Sequence, residues 1–222
     1  MIVQGFGISL ERLKENDLEL LREKRNSQLV SQFMEYREHI TPEMQILWFN
    51  KITKDPNIFY FILEYNNKKI GMVHGTMKPD QADSEGGMFI YEQEYQNSFV
   101  PVLVSLITGD MGFYLLGSTV SHIRILKHNH RSISHNKQLG YKLCTDQENE
   151  ENQLYELTIT SYEKHSKKIR KALSTTVQPP GKIILTFTKN EPGLPAQNKL
   201  IELYNNLPIE RKELFSLEPI EY

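Results

Sequence analysis

The alternation of apolar and polar positions divides the chain into short strands and amphipathic helices. Residues 8–13 alternate, with Ile8 and Leu10 on one side, and predict a first strand. Asn16-Asp17 signals a helix start ahead of Leu18, Leu20 and Leu21, with Arg22, Lys24 and Arg25 near the end where cations suit the dipole. Residues 26–36 put Leu29, Val30, Phe33 and Met34 on one helical face. Thr41-Pro42-Glu43 then opens the clearest helix of this half, since Thr caps, Pro suits the first turn and Glu favours the positive end. Its apolar face is expected to hold Met44, Leu47, Trp48 and Ile52, and a lone Trp48 at that spacing fits a core better than a ligand platform. Past the break at Asp55-Pro56-Asn57, residues 59–65 and 69–77 flank Asn66-Asn67 and predict an antiparallel hairpin. His74 lies among apolar neighbours there, which favours a core or cleft histidine over a catalytic base.

After a polar loop at 78–84, residues 85–141 form the organising stretch. Glu85-Gly-Gly-Met-Phe-Ile-Tyr91 reads as a strand with a bulge or a close backbone approach at its glycines. Residues 98–116 are apolar nearly all round and predict a helix buried on most sides. Residues 118–126, with Val120, Ile123 and Ile125, predict a further strand, paired in parallel with the first through a right-handed crossover. Asn129 is placed to cap a helix that ends at Leu139, with Gly140 as its left-handed stop.

Residues 141–145 and 154–162 are expected as two strands joined by the acidic stretch 146–153, a solvated spacer with no metal-binding pattern. From His165 the composition shifts to a basic helical run (Lys167, Lys168, Arg170, Lys171), read as a solvated face, and then to a Thr/Gln/Pro/Gly loop reaching Gly181. Residues 182–188 predict one more strand, and 198–207 and 209–217 two short helices. The expected organisation is a core at 1–164 with an extension at 165–222 packed on it, the chain being cut most readily at 174–181 or 190–195.

Composition narrows the class only modestly. At 222 residues, 39% hydrophobic and 24% charged, the chain has the make-up of an ordinary globular protein. A net charge of −2 argues against a general grip on nucleic acid. The single cysteine, Cys144, excludes an intrachain disulfide and a cysteine-rich zinc site. No segment reads as a signal peptide or a membrane span, so a cytoplasmic location is expected.

The order of elements, with Asn129-His-Arg-Ser132 and Leu139-Gly140-Tyr141 closing it, resembles the GCN5-related N-acetyltransferase (GNAT) superfamily over residues 8–162. Arg25-Asn26-Ser27, Ile40-Thr41-Pro42-Glu43 and Trp48-Phe49 are similar to the branch holding amino-sugar nucleotide and ribosomal-protein N-acetyltransferases. The resemblance implies an α/β (α+β) fold with a mixed central sheet and a V-shaped cleft for acetyl-CoA. It implies transfer of an acetyl group to a small-molecule amine, an amino-sugar nucleotide being one acceptor, with no nucleic-acid or membrane partner and a homodimer left open. Phe89, Ile90 and Tyr91 would offer backbone groups to the pantetheine arm, and Gln96, Asn97, Ser98, Asn129 and Asn136 would lie along CoA.

Two positions depart from the family pattern. Its pyrophosphate loop, Gln/Arg-x-x-Gly-x-Gly/Ala, matches Gln96-Asn97-Ser98-Phe99-Val100-Pro101 only at the first position, while the amides at the start of the long helix are expected to stay free. Asn136 stands where a tyrosine often protonates the leaving thiolate, so His135, another group, unassisted departure, or no transfer at all remain open. For the base, Glu85 comes first and His74 second, Glu85 as a simple strand-end residue being the plain alternative. A catalytically degenerate GNAT-fold binding module is the second functional reading.

Overall fold

One sheet carries nearly every element of the chain. The computed structural model describes residues 1–78, 82–175, 181–188 and 195–220. In chain order these form β1 (Ile2–Gly5), β2 (Ile8–Arg12), α1 (Leu18–Asn26), α2 (Gln28–Ser31), α3 (Pro42–Ile52), β3 (Ile58–Tyr65), β4 (Lys68–Lys78) and β5 (Asp83–Ile90). They continue with α4 (Gln93–Gln96), α5 (Val100–Asp110) extended by a π-helical turn (Met111–Leu115), β6 (Val120–Leu126), α6 (His130–Leu139), β7 (Lys142–Leu143) and β8 (Asn152–Thr158). Last come α7 (Ile159–Leu173), β9 (Ile183–Thr188), α8 (Pro195–Asn205), α9 (Ile209–Lys212) and β10 (Phe215–Ile220). The strand order is β10-β9-β1-β2-β3-β4-β5-β6-β8-β7, a mixed sheet.

The period of two in β3 sends its side chains to two cores. Phe61 and Leu63 join Val3, Leu10, Val100, Leu103 and Leu200 on the α5 face. Ile62 joins Leu13, Leu18, Leu21, Ile52 and Met72 under α1 and α3. The predicted hairpin stands, with Asn66 and Asn67 at φ 51° and 58°, the left-handed values that a two-residue turn requires. The α3 start also stands, Thr41 Oγ1 accepting from the Met44 amide at 3.3 Å. Its buried face differs from expectation: Met44 and Leu47 are 40% and 70% exposed, while Gln45 is buried beside Ile52.

Several boundaries move for identifiable reasons. The second helical piece shrinks to α2, and the strand expected at 141–145 to the two residues of β7. The strand expected at 154–162 stops at Thr158, whose Oγ1 accepts from the Ser161 amide at 3.3 Å and caps α7. The helix expected at 209–217 splits into α9 and the edge strand β10, where Phe215 and Leu217 alternate with Ser216 and Glu218. Part of the 78–84 loop, most of the loop before Gly181 and nearly all of the 190–195 stretch lie outside the described residues.

The boundary expected at Lys164 falls inside α7. Beyond it, β9 pairs antiparallel with β1 and β10 parallel with β9, and Ile183, Leu185, Phe187 and Phe215 enter the α5-face core. A buried network also ties α7 to α5. The Tyr162 hydroxyl sits between the Leu106 carbonyl at 3.0 Å and Asp110 Oδ1 at 2.6 Å, and Arg170 Nη2 donates to Asp110 Oδ2 at 2.6 Å. Gly109 is required for this, since a Cβ there would lie 2.5 Å from the Tyr162 ring. Among the described residues no helix is long and apolar enough to cross a membrane.

Candidate active site

β5 pairs with β4 along its whole length, from Asp83 opposite Lys78 to Ile90 opposite Gly71. Its parallel pairing with β6 lasts only three residues, Asp83–Val120, Ser84–Ser121 and Glu85–His122. Past Glu85 the two strands diverge into a V, and a cleft of about 870 Å³ occupies the opening. Register decides which backbone groups face it. The Tyr91 amide donates to the Ile70 carbonyl at 2.9 Å, so Tyr91, Phe89 and Gly87 direct their backbone to β4. Met88 and Ile90 direct theirs into the cleft, Gly86 gives its amide to the His122 carbonyl at the last rung of the β5–β6 ladder, and the Ile90 carbonyl already accepts from Gln96 Nε2 at 2.7 Å. Of the three residues expected to present backbone groups, Phe89 and Tyr91 turn theirs to β4 and Ile90, like Met88, turns its own to the cleft.

At the mouth of the V, Arg131 draws the loop and α6 together: its Nη2 donates to Gln96 Oε1 at 2.7 Å and its Nη1 to Asn97 Oδ1 at 3.2 Å. Phe99 is 45% exposed and turns away from the cleft, its ring edge-on to Tyr65 at 6.3 Å. The side chain standing in place of the expected glycine therefore does not block the mouth. The amides of α5 are less free than the sequence suggests. Ser98 Oγ accepts from the Val100 amide at 3.1 Å, Pro101 has no N–H, and the amides of Val102 and Leu103 both donate to the Phe99 carbonyl at 3.1 Å.

The start of α6 is arranged differently. Asn129 Oδ1 accepts from the Ser132 amide at 3.2 Å, a side-chain cap that leaves the His130 and Arg131 amides of the first turn without intrahelical acceptors. Gly140 closes the helix at φ 104°, as expected. Asn136 turns back on its own helix, donating to the Ser132 carbonyl at 2.9 Å. His135 Nε2 lies 3.0 Å from Ser105 Oγ, and that hydroxyl donates to the Pro101 carbonyl at 2.9 Å. Nε2 must then carry the hydrogen, and Nδ1 is the bare nitrogen. Burial holds the His135 pKa below its ordinary value, so this ring is a poor proton donor at neutral pH.

Glu85 and His74 share one sheet face at the vertex of the V. Glu85 is opposite Thr76 and His74 opposite Gly87, where a Cβ would lie 2.7 Å from His74 Nε2. The imidazole stacks on Tyr60 at 5.2 Å, and Trp48 meets Tyr60 edge-on at 4.9 Å. Burial lowers the His74 pKa, Glu85 opposing and Arg25 reinforcing the shift, so the ring is neutral near pH 7. The Glu85 carboxylate lies 3.6 Å from Lys78 Nζ and 3.7 Å from Arg124 Nε.

Three contributions escaped sequence reasoning. The open backbone of Met88 depends on register, which no local pattern carries. Arg131 stands inside the Asn129-His-Arg-Ser132 phrase, so its place beside a helix start was the available signal. Tyr141 lines the cleft with Ser121, the two hydroxyls being 3.0 Å apart, and burial pushes its phenol up to about 12.

No protein-family model matches this sequence, and no curated protein matches it. Solved structures do. A domain from Methanocaldococcus jannaschii DSM 2661 is 28% identical over 68% of this chain and 98% of its own, with a TM-score of 0.58. Spermidine N-acetyltransferase from Vibrio cholerae, in complex with CoA and spermine, is 16% identical over 71% of this chain and 98% of its own, TM-score 0.62. FdhC, a nucleotide-linked sugar GNAT in its apo form, is 20% identical over 78% and 97%, TM-score 0.63. The chain has the GNAT fold, an α/β architecture with a mixed central sheet.

Proposed function

We propose that the protein is an acyl-CoA-dependent N-acetyltransferase, with acetyl-CoA as donor and a small amine as acceptor. The observation that carries this reading is the divergence of β5 from β6, which leaves the Gly86 carbonyl, the backbone of Met88 and the Ile90 amide open inside the cleft. Such an edge pairs with an extended, amide-bearing arm as it would with another strand. The volume lies within the roughly 300–1,000 Å³ of small-molecule sites. At the mouth, Arg131 and the first-turn amides of α6 suit a pyrophosphate. CoA in the Vibrio cholerae neighbour supports the same donor class here.

Bound acetyl-CoA would supply an activated thioester. Glu85, at the vertex, is the group proposed to accept the proton of the attacking amine, directly or through a water, with neutral His74 beside it as second acceptor. The open amide of Met88 is the donor for negative charge building on a carbonyl oxygen under attack. The departing thiolate needs a proton that neither Asn136 nor the bare Nδ1 of His135 provides. Tyr141, which keeps its phenolic proton, is the candidate for that step. The spermine and nucleotide-sugar neighbours make small amines, amino-sugar nucleotides among them, the acceptor class we infer.

Titrating acetyl-CoA while following thermal unfolding tests the donor. At about 100 times Kd a ligand of the native state adds about 2.7 kcal/mol, a clear rise in Tm. No rise at millimolar acetyl-CoA would contradict the proposal. Glu85→Gln should then lower turnover on a productive amine far more than it changes CoA affinity, and unchanged turnover would remove Glu85 from the mechanism.

A further inference from the structure

Among the described residues the guanidinium of Arg25 is a partly buried charge without a counterion. It sits at the end of α1 on the same sheet face as His74, Tyr60 and Glu85, its Cζ 6.0 Å from the centroid of Phe89, a residue that lines the cleft. Its Nη1 is fully buried and has no hydrogen-bond partner, and among the described residues the guanidinium makes no ion pair. Glu85 is not its counterion, being held by Lys78 at 3.6 Å and Arg124 at 3.7 Å. The Phe89 ring lies at about the 6 Å limit of useful cation–π attraction and satisfies none of the five donors. Burial disfavours the charged form of Arg25, the nearby Tyr60 opposing that only in part. Leaving a half-buried cation unpaired is unfavourable, and a fold that keeps one in place holds it for something supplied from outside.

The side chain is also pre-positioned. Its neighbour Asn26 binds Ile40 twice, Nδ2 donating to the carbonyl at 2.9 Å and Oδ1 accepting from the amide at 2.9 Å. That clamp fixes the end of α1 against the segment leading into α3. Tyr60, close enough to act on the charge of Arg25, stacks on His74 and meets Trp48 edge-on.

We infer that Arg25 recognises an anionic group, phosphate or carboxylate, carried by the acceptor amine. The guanidinium fork matches either anion in a two-point contact, and the neighbouring His74 and Glu85 place that anchor close to the residues proposed to handle the proton. This rests on the transferase reading for its meaning as acceptor recognition. The anion site itself rests on Arg25 alone.

The test uses the full chain, wild type, Arg25→Gln and Arg25→Lys, with acetyl-CoA and paired amines: glucosamine 6-phosphate against glucosamine, β-alanine against β-alaninamide, and spermidine. At least one anionic member should exceed its neutral twin by about 10- to 100-fold in kcat/KM, the scale of a hydrogen bond to a charged group. Arg25→Gln should abolish that preference, Arg25→Lys keep part of it, and the acetyl-CoA-induced Tm rise stay as in wild type. The phosphate and carboxylate pairs distinguish the two sources. Equal rates within both pairs, or a preference surviving in Arg25→Gln, overturn the proposal.

A second readout needs no turnover. Inorganic phosphate or acetate should raise the Tm of Arg131→Ala, in which the pyrophosphate site is weakened, but not of Arg131→Ala/Arg25→Gln, should raise wild type more than Arg25→Gln, and the unliganded Arg25→Gln should melt no lower than wild type. Equal anion responses in wild type and Arg25→Gln, or an unliganded Arg25→Gln that melts well below wild type, make Arg25 structural and overturn the proposal. An Arg25-dependent anion response with no acetyl-CoA response removes the transferase reading and leaves the anion site standing.

Discussion

Arg170 and Arg25 are both partly buried, on elements that pack against the same sheet, and they are treated in opposite ways. Arg170 meets Asp110 at 2.6 Å, and that carboxylate also accepts from Tyr162. Despite the cost of burial, the attraction of Asp110 and Tyr162 holds the Arg170 pKa above its ordinary value. Among the described residues Arg25 meets no carboxylate, and burial holds its pKa below the ordinary value. One charge is satisfied inside the fold and stabilises the joint between α5 and α7. The other is left incomplete beside the cleft. The same residue type thus marks architecture where its partner is internal and points to a ligand where it is not.

The largest expected effect comes from breaking the satisfied side of this comparison. Arg170→Met should lower stability by about 3 kcal/mol in denaturant unfolding, because it strands the Asp110 carboxylate in the core. Burial raises the folded pKa of Asp110, so the native state takes up its proton more readily than the unfolded chain does. The deficit of the variant should therefore shrink as pH falls through that raised value, and a deficit that grows in acid would contradict the network. Tyr162→Phe, which keeps the ring but removes the hydroxyl between Leu106 and Asp110, should lose about 1–3 kcal/mol.

A smaller effect concerns the buried histidines. Burial lowers the folded pKa of both His74 and His135. Each therefore contributes stability that is fully present above the ordinary value of about 6.5 and is lost as pH falls through the depressed folded value. Unfolding midpoints in the acid range below pH 6.5 should fall less for His74→Gln than for wild type, relative to their values at pH 7.5. Equal slopes would place His74 in a solvated setting.

The smallest effect is at the mouth. Phe99 faces Tyr65 outside the cleft, so Phe99→Gly should change acetyl-CoA affinity by no more than about two-fold, the scale of an ordinary surface substitution. A marked tightening would mean that the side chain obstructs the phosphate site after all.

The elements with strong local signals were legible in the sequence. The Asn66-Asn67 turn, the Thr41 cap, the apolar length of α5 and the Asn129 and Gly140 ends of α6 each depend on residues close in the chain. β1 and β10 were not legible: β1 is four residues long and owes its second partner, β9, to the far end of the chain, and β10 is an edge strand that, among the described residues, pairs only with β9. The site followed the same division. Glu85, His74 and Asn129, which line the cleft, were candidates from residue type and position. The choice of Met88 over Phe89 and Tyr91 required the β4–β5 register, and a one-residue difference reverses which edge a backbone group faces. The bare Nδ1 of His135 required the Ser105–Pro101 hydrogen bond. The missing partner of Arg25 is a property of the whole neighbourhood, and no local pattern encodes it.

Isothermal calorimetry of acetyl-CoA into the full chain tests the central claim most directly. The account predicts saturable binding at one site per chain, abolished by prior saturation with CoA and weakened in Arg131→Ala. Absence of binding heat at millimolar acetyl-CoA, with no Tm shift under the same conditions, would contradict it.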